Sequence, residues 1–173
     1  MALSTCDLSD EHGDEARIPH AVFRDFGGRT AFHGRAVTVK CFEDNSRVKE
    51  LLASPGNGRV LVVDGGGSTR CALLGDMIAN DAVANGWSGV IVFGCVRDSA
   101  VLAGLDIGIK ALGTNPKRST RRGEGTAHIT VDLAGIPVAE CDIVVADGDG
   151  IVVLEAGHEP RRGSTTSPSA STT

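Results

Sequence analysis

The chain has 173 residues, a length typical of one domain and sufficient to bury a hydrophobic core. Hydrophobic residues make up 41% of it and charged residues 23%, and the formal net charge is −5, so no basic field is expected to attract nucleic acid or an anionic membrane. The composition therefore favours a small molecule or another protein as the partner.

No segment of the sequence predicts membrane insertion or secretion. The longest apolar run, GVIVFGCV at 89–96, is far shorter than a bilayer-spanning helix, and the first residues are acidic where a signal peptide would be basic and then apolar. The five cysteines are scattered and none forms a C-x-x-C pair, so neither a disulfide framework nor a zinc site is predicted. We therefore expect a cytoplasmic protein.

The two ends of the chain differ in composition from its middle. Residues 1–20 are polar and acidic with few large apolar groups, and residues 157–173 are rich in serine, threonine and proline without periodicity. We expect a flexible N-terminal segment at 1–20 and a disordered tail at 157–173. A single folded domain is predicted for 21–156.

The first half of this domain predicts strands that alternate with helices. The alternating pattern of 30–42 predicts a strand, and 45–53 predicts an amphipathic helix capped by Asn45. The run GRVLVVDGGG at 58–67 is typical of a buried strand that enters a tight turn, and RCALL at 70–74 predicts a further short strand.

The second half continues with one helix and several strands. A helix is predicted over 76–85, where Asn85 and Gly86 form a stop signal. Buried strands are expected at 88–94 and 105–113, followed by a polar loop at 114–126.

The last part of the domain predicts successive β-hairpins. Alternating runs are broken at Ala134–Gly135 and again at 147–150, as expected for hairpin turns. The predicted elements are rich in strands and include two or three helices. We therefore expect a mixed β/α sandwich rather than a regular doubly wound α/β fold.

The glycine cluster VVDGGGST at 62–69 follows a predicted strand and raises the possibility of a nucleotide or S-adenosylmethionine site. Arg70 stands where the dinucleotide fingerprint requires its third glycine, and Arg97 stands where an acid would bind the ribose. A plain turn, or a wall of a pocket lined by backbone, accounts better for these glycines.

Three further features each allow a functional and a structural interpretation. DGDG at 147–150 resembles part of a calcium loop but lacks the downstream glutamate, which favours a hairpin turn. Lys110 could form a Schiff base, although a snorkelling lysine is expected because nothing nearby in sequence would lower its pKa. A basic loop, defined as 117–122, is interpreted as a solvated face, a subunit contact or an anion site; its cations are Lys117, Arg118, Arg121 and Arg122.

Asp76, Arg97 and Asp98 form the most informative group. If a helix begins at Asp76, its first free amides near Met77 and Ile78 could bind a substrate carboxylate. The following strand would place an arginine suited to a carboxylate, and a carboxylate suited to Mg²⁺, beside that helix end. An Arg–Asp ion pair that merely closes the strand remains the alternative.

The residues that carry this pattern also resemble a known family. The stretch VDGGGSTRCALLGDMIANDAVANGWSGVIVFGCVRD, then LDIGIKALGTNP and ADGDGIVV, is similar to RraA-like proteins, which include the regulator of ribonuclease E activity and class II 4-hydroxy-4-methyl-2-oxoglutarate aldolases. The resemblance covers most of 60–153 and, more loosely, the region from Phe23. Asp76 and Arg97 enclose twenty residues, and Asp98 follows directly, which resembles the aldolase signature within the family.

The resemblance implies a fold and an assembly. It implies a swivelling β/β/α sandwich assembled as a homotrimer, and a divalent cation, Mg²⁺ or Mn²⁺, as cofactor. Relatives often carry a second acidic residue shortly after the Arg–Asp pair, and this stretch of the chain consists of Ser99, Ala100 and Val101.

Residue roles also follow from the resemblance. The substrate loop would consist of Gly75, Asp76, Met77 and Ile78. Asp76 would also orient a catalytic water. Arg97 would bind the carboxylate and carbonyl of a 2-oxo acid.

Asp98 would hold the metal. The implied activity is cleavage of 4-hydroxy-4-methyl-2-oxoglutarate or a related 4-hydroxy-2-oxo acid to pyruvate, with oxaloacetate decarboxylation as a side reaction. The alternative is a non-catalytic inhibitor that binds a ribonuclease E-type RNA-degrading enzyme.

Overall fold

The computed structural model describes residues 3–158. Most of the tail predicted at 157–173 therefore lies outside the described residues. The helices are α1 (Thr5–His12), α2 (Ser46–Leu52), α3 (Asp76–Ala84) and α4 (Ser99–Leu102), with a 3₁₀ turn at Gly13–Glu15. The strands are β1 (Arg24–Asp25), β2 (Phe32–Lys40), β3 (Val60–Asp64), β4 (Ala72–Leu74), β5 (Gly89–Val96), β6 (Gly108–Thr114), β7 (Thr126–Ala127), β8 (Val131–Leu133), β9 (Ile136–Val138), β10 (Ile143–Asp147) and β11 (Gly150–Leu154).

One large sheet organises the molecule. Its strand order is β1-β6-β5-β3-β2-β10-β11, with β4 paired to β5 and β7 paired to β2. The central pairs β2–β3, β3–β5 and β5–β6 are parallel, whereas β10 runs antiparallel to both β2 and β11. Strands β8 and β9 form a separate antiparallel hairpin.

Each face of the parallel strands is covered by a different layer. On one face, α2 and α3 pack through residues such as Val48, Leu52 and Ala79, which are fully buried. On the other face, the β8–β9 hairpin and the β10–β11 pair enclose a second apolar cluster that includes Ile91 and Val144. The layers are therefore helix, parallel sheet and β-layer, which confirms the predicted mixed α/β sandwich.

The two hairpins and the helix stop also lie where the sequence predicts them. The turns at Ala134–Gly135 and at Asp147–Gly150 separate β8 from β9 and β10 from β11. Helix α3 ends at Ala84, and Gly86 has φ +77°, a left-handed conformation that glycine adopts without steric cost. The strands β1 and β7 and the helix α4 were not predicted, because segments of two to four residues carry little periodic signal.

The N-terminal boundary requires correction. We expected residues 1–20 to be flexible, but α1 packs against β10 and β11 through Leu8, which is 3% exposed. The backbone amide and the hydroxyl of Thr5 both donate to the Asp147 carboxylate, at 2.8 and 2.7 Å. The packed domain therefore begins near Thr5. The acidic composition concealed this because the helix docks through one large apolar residue, Leu8, and most of its other residues are polar.

The start of α2 also differs from the prediction. Asn45 makes no side-chain capping hydrogen bond; instead its Nδ2 donates to the Leu73 carbonyl, at 3.2 Å. The preceding residue, Asp44, caps the turn, because its Oδ1 accepts from the Ser46 amide at 2.9 Å. Its Oδ2 accepts from the Arg122 amide at 2.6 Å, so one buried carboxylate joins the helix start to the basic loop.

Asp44→Asn is expected to destabilise the protein at neutral pH and to flatten its acid sensitivity. Burial would raise the Asp44 pKa, but the hydrogen bonds from Ser46 and from the Arg122 and Glu124 amides outweigh this and lower the pKa from 3.8 to about 2. The ionised group therefore stabilises the fold by about 1–2 kcal/mol, allowing for solvent screening. Because the folded-state pKa is the lower one, this contribution is complete above the unfolded pKa and disappears as pH falls through the folded value.

Urea unfolding of the wild type and of the Asp44→Asn variant checks this expectation. The stability difference between them should shrink by more than half between about pH 5 and about pH 2.5. A difference that stays constant over that interval would contradict the assigned role of the carboxylate.

Candidate functional site

The strand ends bring the predicted site residues together. Leu74 and Val96 are partners in the parallel β4–β5 ladder, and the Arg97 amide donates to the Leu74 carbonyl at 2.9 Å. Because parallel strands present their carboxyl ends at the same edge, the residues after β4 and those after β5 become neighbours. The structure thus places Arg97 and Asp98 beside the start of α3.

Asp98 makes the contact that joins these two segments. Its Oδ2 accepts a hydrogen bond from the Asp76 backbone amide, at 3.1 Å. The backbone of Asp98 is left-handed, with φ 56° and ψ 39°, a conformation that costs a residue with a Cβ about 1 kcal/mol. This conformation turns the carboxylate back toward α3 instead of along the strand.

The Arg97–Asp98 ion pair is loose. Arg97 Nε lies 3.8 Å from Asp98 Oδ2, and the two side chains are 38% and 36% exposed. Ion pairs of this kind contribute little to stability. The alternative interpretation, a salt bridge that merely closes the strand, is therefore weaker than a site in which both groups remain able to bind a ligand.

Gly75 allows these groups to approach the helix start. A Cβ at this position would lie 2.8 Å from Asp98 Oδ2 and 3.3 Å from Arg97 Nε, so any larger residue would displace both side chains. The need for glycine here comes from space, since its backbone is extended, with φ −132°.

The carboxylate of Asp76 accepts a hydrogen bond from the second amide of the helix. The Met77 amide donates to Asp76 Oδ1 at 2.8 Å, and the Asn80 side chain donates to the Asp76 carbonyl at 2.9 Å. A substrate carboxylate bound at this helix end would have to replace Asp76 as the acceptor for Met77. Met77 itself is 78% exposed, whereas Ile78 is buried in the core below the loop.

A shallow pocket contains these residues together with several that the sequence analysis did not assign to the site. Asn45, Ala72, Ser119, Arg118 and Arg121 lie in its wall. The full lining is Asn45, Ala72, Leu74, Gly75, Asp76, Met77, Ile78, Arg97, Arg118, Ser119 and Arg121. Asp98 is not one of these lining residues, but it adjoins them through its hydrogen bond with the amide of Asp76.

The remaining candidates lie elsewhere in the molecule. The glycine turn at 65–67 is a tight turn, as favoured from the sequence: the Gly66 amide donates to Asp64 Oδ1, and a Cβ at Gly65 would lie 2.6 Å from the Phe93 carbonyl oxygen. Lys110 does not snorkel, contrary to the prediction, because its side chain is 1% exposed and its Nζ contacts Asp25 Oδ1 at 2.9 Å. The pairing between β1 and β6 that supplies Asp25 could not be read from the sequence near Lys110.

Within residues 3–158, no group of three or more His, Cys, Asp or Glu side chains is arranged to hold a metal ion.

The buried cysteines are Cys41, Cys71 and Cys95, as expected for small core residues. Burial raises the pKa of the Cys41 thiol to about 12, and the nearby Asp64 and Asp44 carboxylates act in the same direction. This thiol is therefore protonated and unreactive at neutral pH.

None of the described helices is long and apolar enough to cross a membrane.

The comparisons with known proteins agree with this geometry. The sequence matches the RraA-like family (Aldolase/RraA) over residues 5–153. A protein of Alkalilimnicola ehrlichii that carries the provisional name 4-hydroxy-4-methyl-2-oxoglutarate aldolase is 57% identical over 153 residues, which cover 88% of this chain and 95% of that protein.

Two solved structures share the fold over nearly their whole length. The RNA-processing inhibitor RraA from Thermus thermophilis is 41% identical with a TM-score of 0.88, covering 94% of this chain and 98% of that one. A structure described as an S-adenosylmethionine:2-dimethylmenaquinone methyltransferase, from Geobacillus kaustophilus, is 40% identical with a TM-score of 0.87, covering 93% and 100%. The match over almost the whole domain, together with the arrangement of Asp76, Arg97 and Asp98, shows that the chain belongs to the RraA-like family.

Proposed function

We propose that this protein is a divalent-metal-dependent aldolase that cleaves 4-hydroxy-4-methyl-2-oxoglutarate, or a related 4-hydroxy-2-oxo acid, to pyruvate. The names of several relatives, 48–57% identical, support an aldolase. The observation that carries the proposal is the contact between Asp98 Oδ2 and the Asp76 amide, which gathers a carboxylate, a guanidinium and a helix N-terminus at one pocket.

Arg97 and the start of α3 bind the 2-oxo acid end of the substrate in this proposal. The guanidinium and the amides of Met77 and Ile78 offer donors on neighbouring sides of the pocket, and the positive end of the helix dipole favours an anion there. Substrate binding would release the Met77 amide from Asp76 Oδ1 and leave that carboxylate free to accept another proton donor.

The donor set suits a hard cation that keeps most of its water. Asp98 is partly exposed, and one of its oxygens accepts a hydrogen bond that orients the carboxylate, which fits Mg²⁺ or Mn²⁺ bound through one carboxylate plus water and substrate. A cation held by Asp98 would supply a Lewis acid for the negative charge that develops on the keto oxygen during C–C cleavage.

Asp76 is proposed to act on the proton of the substrate's C4 hydroxyl through a water molecule. Cleavage of the bond between C3 and C4 turns the C4 hydroxyl into a carbonyl, so its proton must leave as the electron pair moves toward C3. The enolate of pyruvate then takes a proton at C3. Asp76 is partly buried and lines the same pocket as Arg97, which supports a role for its carboxylate in relaying both transfers through a water.

The same residues would also promote decarboxylation of oxaloacetate, because loss of its C4 carboxylate produces the same pyruvate enolate. We further propose a homotrimer located in the cytoplasm, on the strength of the family relation alone.

The experiment that tests the activity is pyruvate release, measured with lactate dehydrogenase and NADH. Both 4-hydroxy-4-methyl-2-oxoglutarate and oxaloacetate should be turned over with Mg²⁺ or Mn²⁺, and EDTA should abolish both reactions. Absence of turnover of either substrate with any divalent metal would refute the aldolase proposal.

A second candidate function is a non-catalytic inhibitor of a ribonuclease E-type enzyme. The relation that favours it is the 41% identity to the RNA-processing inhibitor RraA. It requires an exposed docking surface and not the carboxylate of Asp98. An Asp98→Ala protein that still binds and inhibits such a ribonuclease, together with a wild type that lacks aldolase activity, would favour this function.

A further inference from the structure

Two arginines of the basic loop lie in the wall of the proposed active site, although they are distant in sequence from its other residues. Arg118 and Arg121 line the same pocket as Asp76 and Arg97. The segment 115–125 that carries them contains neither a helix nor a regular strand, only single bridges to other segments. Contacts with the rest of the fold must therefore set the position of both guanidinium groups.

The first half of the basic loop is tied to β4. The Ala72 amide donates to the Lys117 carbonyl at 2.7 Å, and the Ser119 amide donates to the Ala72 carbonyl at 3.2 Å. These two hydrogen bonds lie on either side of Arg118 and fix its backbone. They do not extend to Arg121, which must be held by another part of the molecule.

The second half of the loop is tied to the start of α2 through the carboxylate of Asp44. Its Oδ2 accepts from the amide of Arg122, the residue directly after Arg121, at 2.6 Å, and its Oδ1 accepts from the Ser46 amide at 2.9 Å. The Glu124 amide also donates to this carboxylate. Asp44 is fully buried, so backbone donors from two separate segments converge on one carboxylate inside the protein.

Arg121 is enclosed by these anchors. On its N-terminal side, the Thr120 amide donates to the Glu43 carbonyl at 2.9 Å, and the Asn45 amide donates to the Thr120 carbonyl at 3.2 Å. On its C-terminal side, Arg122 is bound by Asp44. The Nε of Arg121 itself donates to Asn45 Oδ1 at 3.3 Å. The guanidinium therefore reaches the pocket from a backbone that is fixed on both sides.

The position of Asp44 requires a carboxylate because each of its oxygens must accept. An asparagine offers one acceptor oxygen, and its amide nitrogen only donates. Asparagine is a favourable helix cap, so in Asp44→Asn the oxygen is expected to keep the Ser46 amide. The nitrogen would then face the Arg122 amide, two donors that cannot bond to each other, and this side of the loop would be released.

We infer that Asp44 is a positioning residue for ligand binding, which holds the Arg121 guanidinium in the pocket wall without touching the ligand itself. Asp44 is not among the residues that line the pocket, so it can act only through the loop. The identity of the reacting substrate rests on the proposed function, whereas the link from Asp44 through Arg121 to the affinity for an anion does not.

The affinity is measured by calorimetry with 2-oxoglutarate in the presence of Mg²⁺, because this 2-oxo acid has no C4 hydroxyl and is not cleaved. Asp44→Asn is expected to weaken binding at least about tenfold, the loss of one charge-assisted contact. Asp142→Asn is the matched control. Asp142 is also a buried carboxylate that accepts two hydrogen bonds, from Arg17 and the Ala139 amide, but it lies outside the pocket lining. This variant should lose stability and keep its affinity within about twofold.

A double-mutant cycle shows whether Asp44 acts through Arg121. Arg121→Gln weakens binding by itself, and adding Asp44→Asn to it should change the affinity by less than about twofold. A general loss of structure would instead weaken binding by the same factor in both backgrounds. The cycle therefore separates positioning from a contribution to stability alone.

Amide hydrogen exchange observes the loop directly. In Asp44→Asn, segment 117–125 should exchange at least about tenfold faster than in the wild type, while α3 is unchanged. Ser46→Ala is a milder variant for the case in which Asp44→Asn does not fold. It removes only the Oγ that accepts from the Gly123 amide at 2.9 Å, and should weaken 2-oxoglutarate binding about threefold, again only when Arg121 is present.

The outcomes distinguish this inference from the proposed function. In an active enzyme, Asp44→Asn should raise the KM for 4-hydroxy-4-methyl-2-oxoglutarate and change kcat by less than about threefold. A wild type without turnover refutes the aldolase alone, since calorimetry and exchange need no catalysis. The inference is overturned by a wild type that does not bind 2-oxoglutarate, by an Asp44→Asn protein that binds it as tightly as Asp142→Asn, or by equal losses with and without Arg121.

Discussion

Asp98→Asn is expected to lower pyruvate release by at least about a thousandfold while leaving the fold intact. The amide oxygen of the substituted side chain can still accept the hydrogen bond from the Asp76 amide, so the geometry that joins β5 to α3 is retained. What the variant loses is the negative charge that would hold a divalent cation. Initial rates with saturating Mn²⁺ measure the effect on both 4-hydroxy-4-methyl-2-oxoglutarate and oxaloacetate.

Two further variants separate charge from geometry. Asp98→Ala removes both the charge and the acceptor for the Asp76 amide, and is therefore expected to be inactive and also less stable than Asp98→Asn. Asp81→Asn removes an exposed carboxylate from the body of the same α3 helix, outside the pocket lining, and should keep wild-type activity. If Asp98→Asn cleaves either substrate at the wild-type rate, the assignment of the metal to Asp98 is wrong.

The core of the site could be predicted because its determinants are local. The turn at Gly75 and the stop signal at Asn85 and Gly86 fix the two ends of α3, and the continuous apolar run of β5 fixes where Arg97 emerges. In a parallel sheet these strand ends must meet, so spacing along the chain translates directly into proximity. This explains why Asp76, Arg97 and Asp98 could be grouped on the basis of the amino-acid sequence.

The part of the pocket wall that contains Arg118 and Arg121 could not be predicted by the same reasoning. Arg118 and Arg121 reach it through single bridges between a loop and β4 or the α2 start, and such bridges follow no periodic pattern. Asn45 was assigned to helix capping because that is its commonest role at this position. In the structure the neighbouring Asp44 caps the helix, which leaves Asn45 to orient Arg121. Local propensity did not distinguish the two adjacent residues.

Lys110→Met is expected to destabilise the protein by about 1–3 kcal/mol, because the buried ammonium group gives up its ion pair with the partly exposed Asp25 and its hydrogen bond to the Asp147 carbonyl. The Lys110 Nζ lies 2.9 Å from Asp25 Oδ1 and donates to the Asp147 carbonyl at 2.6 Å. Methionine fills a similar volume but replaces neither interaction. Urea unfolding followed by the fluorescence of Trp87, the single tryptophan and 3% exposed, measures the effect.

The position of Lys110 explains why one side chain should matter so much. Asp25 lies on β1, at one end of the strand order of the large sheet, and Asp147 ends β10, next to the strand at the other end. Lys110, on β6, therefore ties the two ends of a curled sheet to each other. The side-chain carboxylate of Asp147 also accepts both hydrogen bonds from Thr5, so the same residue supports the docking of α1.

A double-mutant cycle with Asp25→Asn distinguishes this ion pair from simple packing. Asp25→Asn removes the unpaired charge that Lys110→Met would leave behind, so the double variant should be more stable than the sum of the single effects implies, by about 1–2 kcal/mol. Strict additivity would mean that the ion pair between Lys110 and Asp25 contributes nothing to stability. Because Lys110 lies outside the pocket lining, the folded Lys110→Met protein should also retain aldolase activity, whereas a Schiff-base lysine would be indispensable. Loss of activity in a fully folded variant would therefore indicate a catalytic role for Lys110 and would contradict the proposed metal-dependent mechanism.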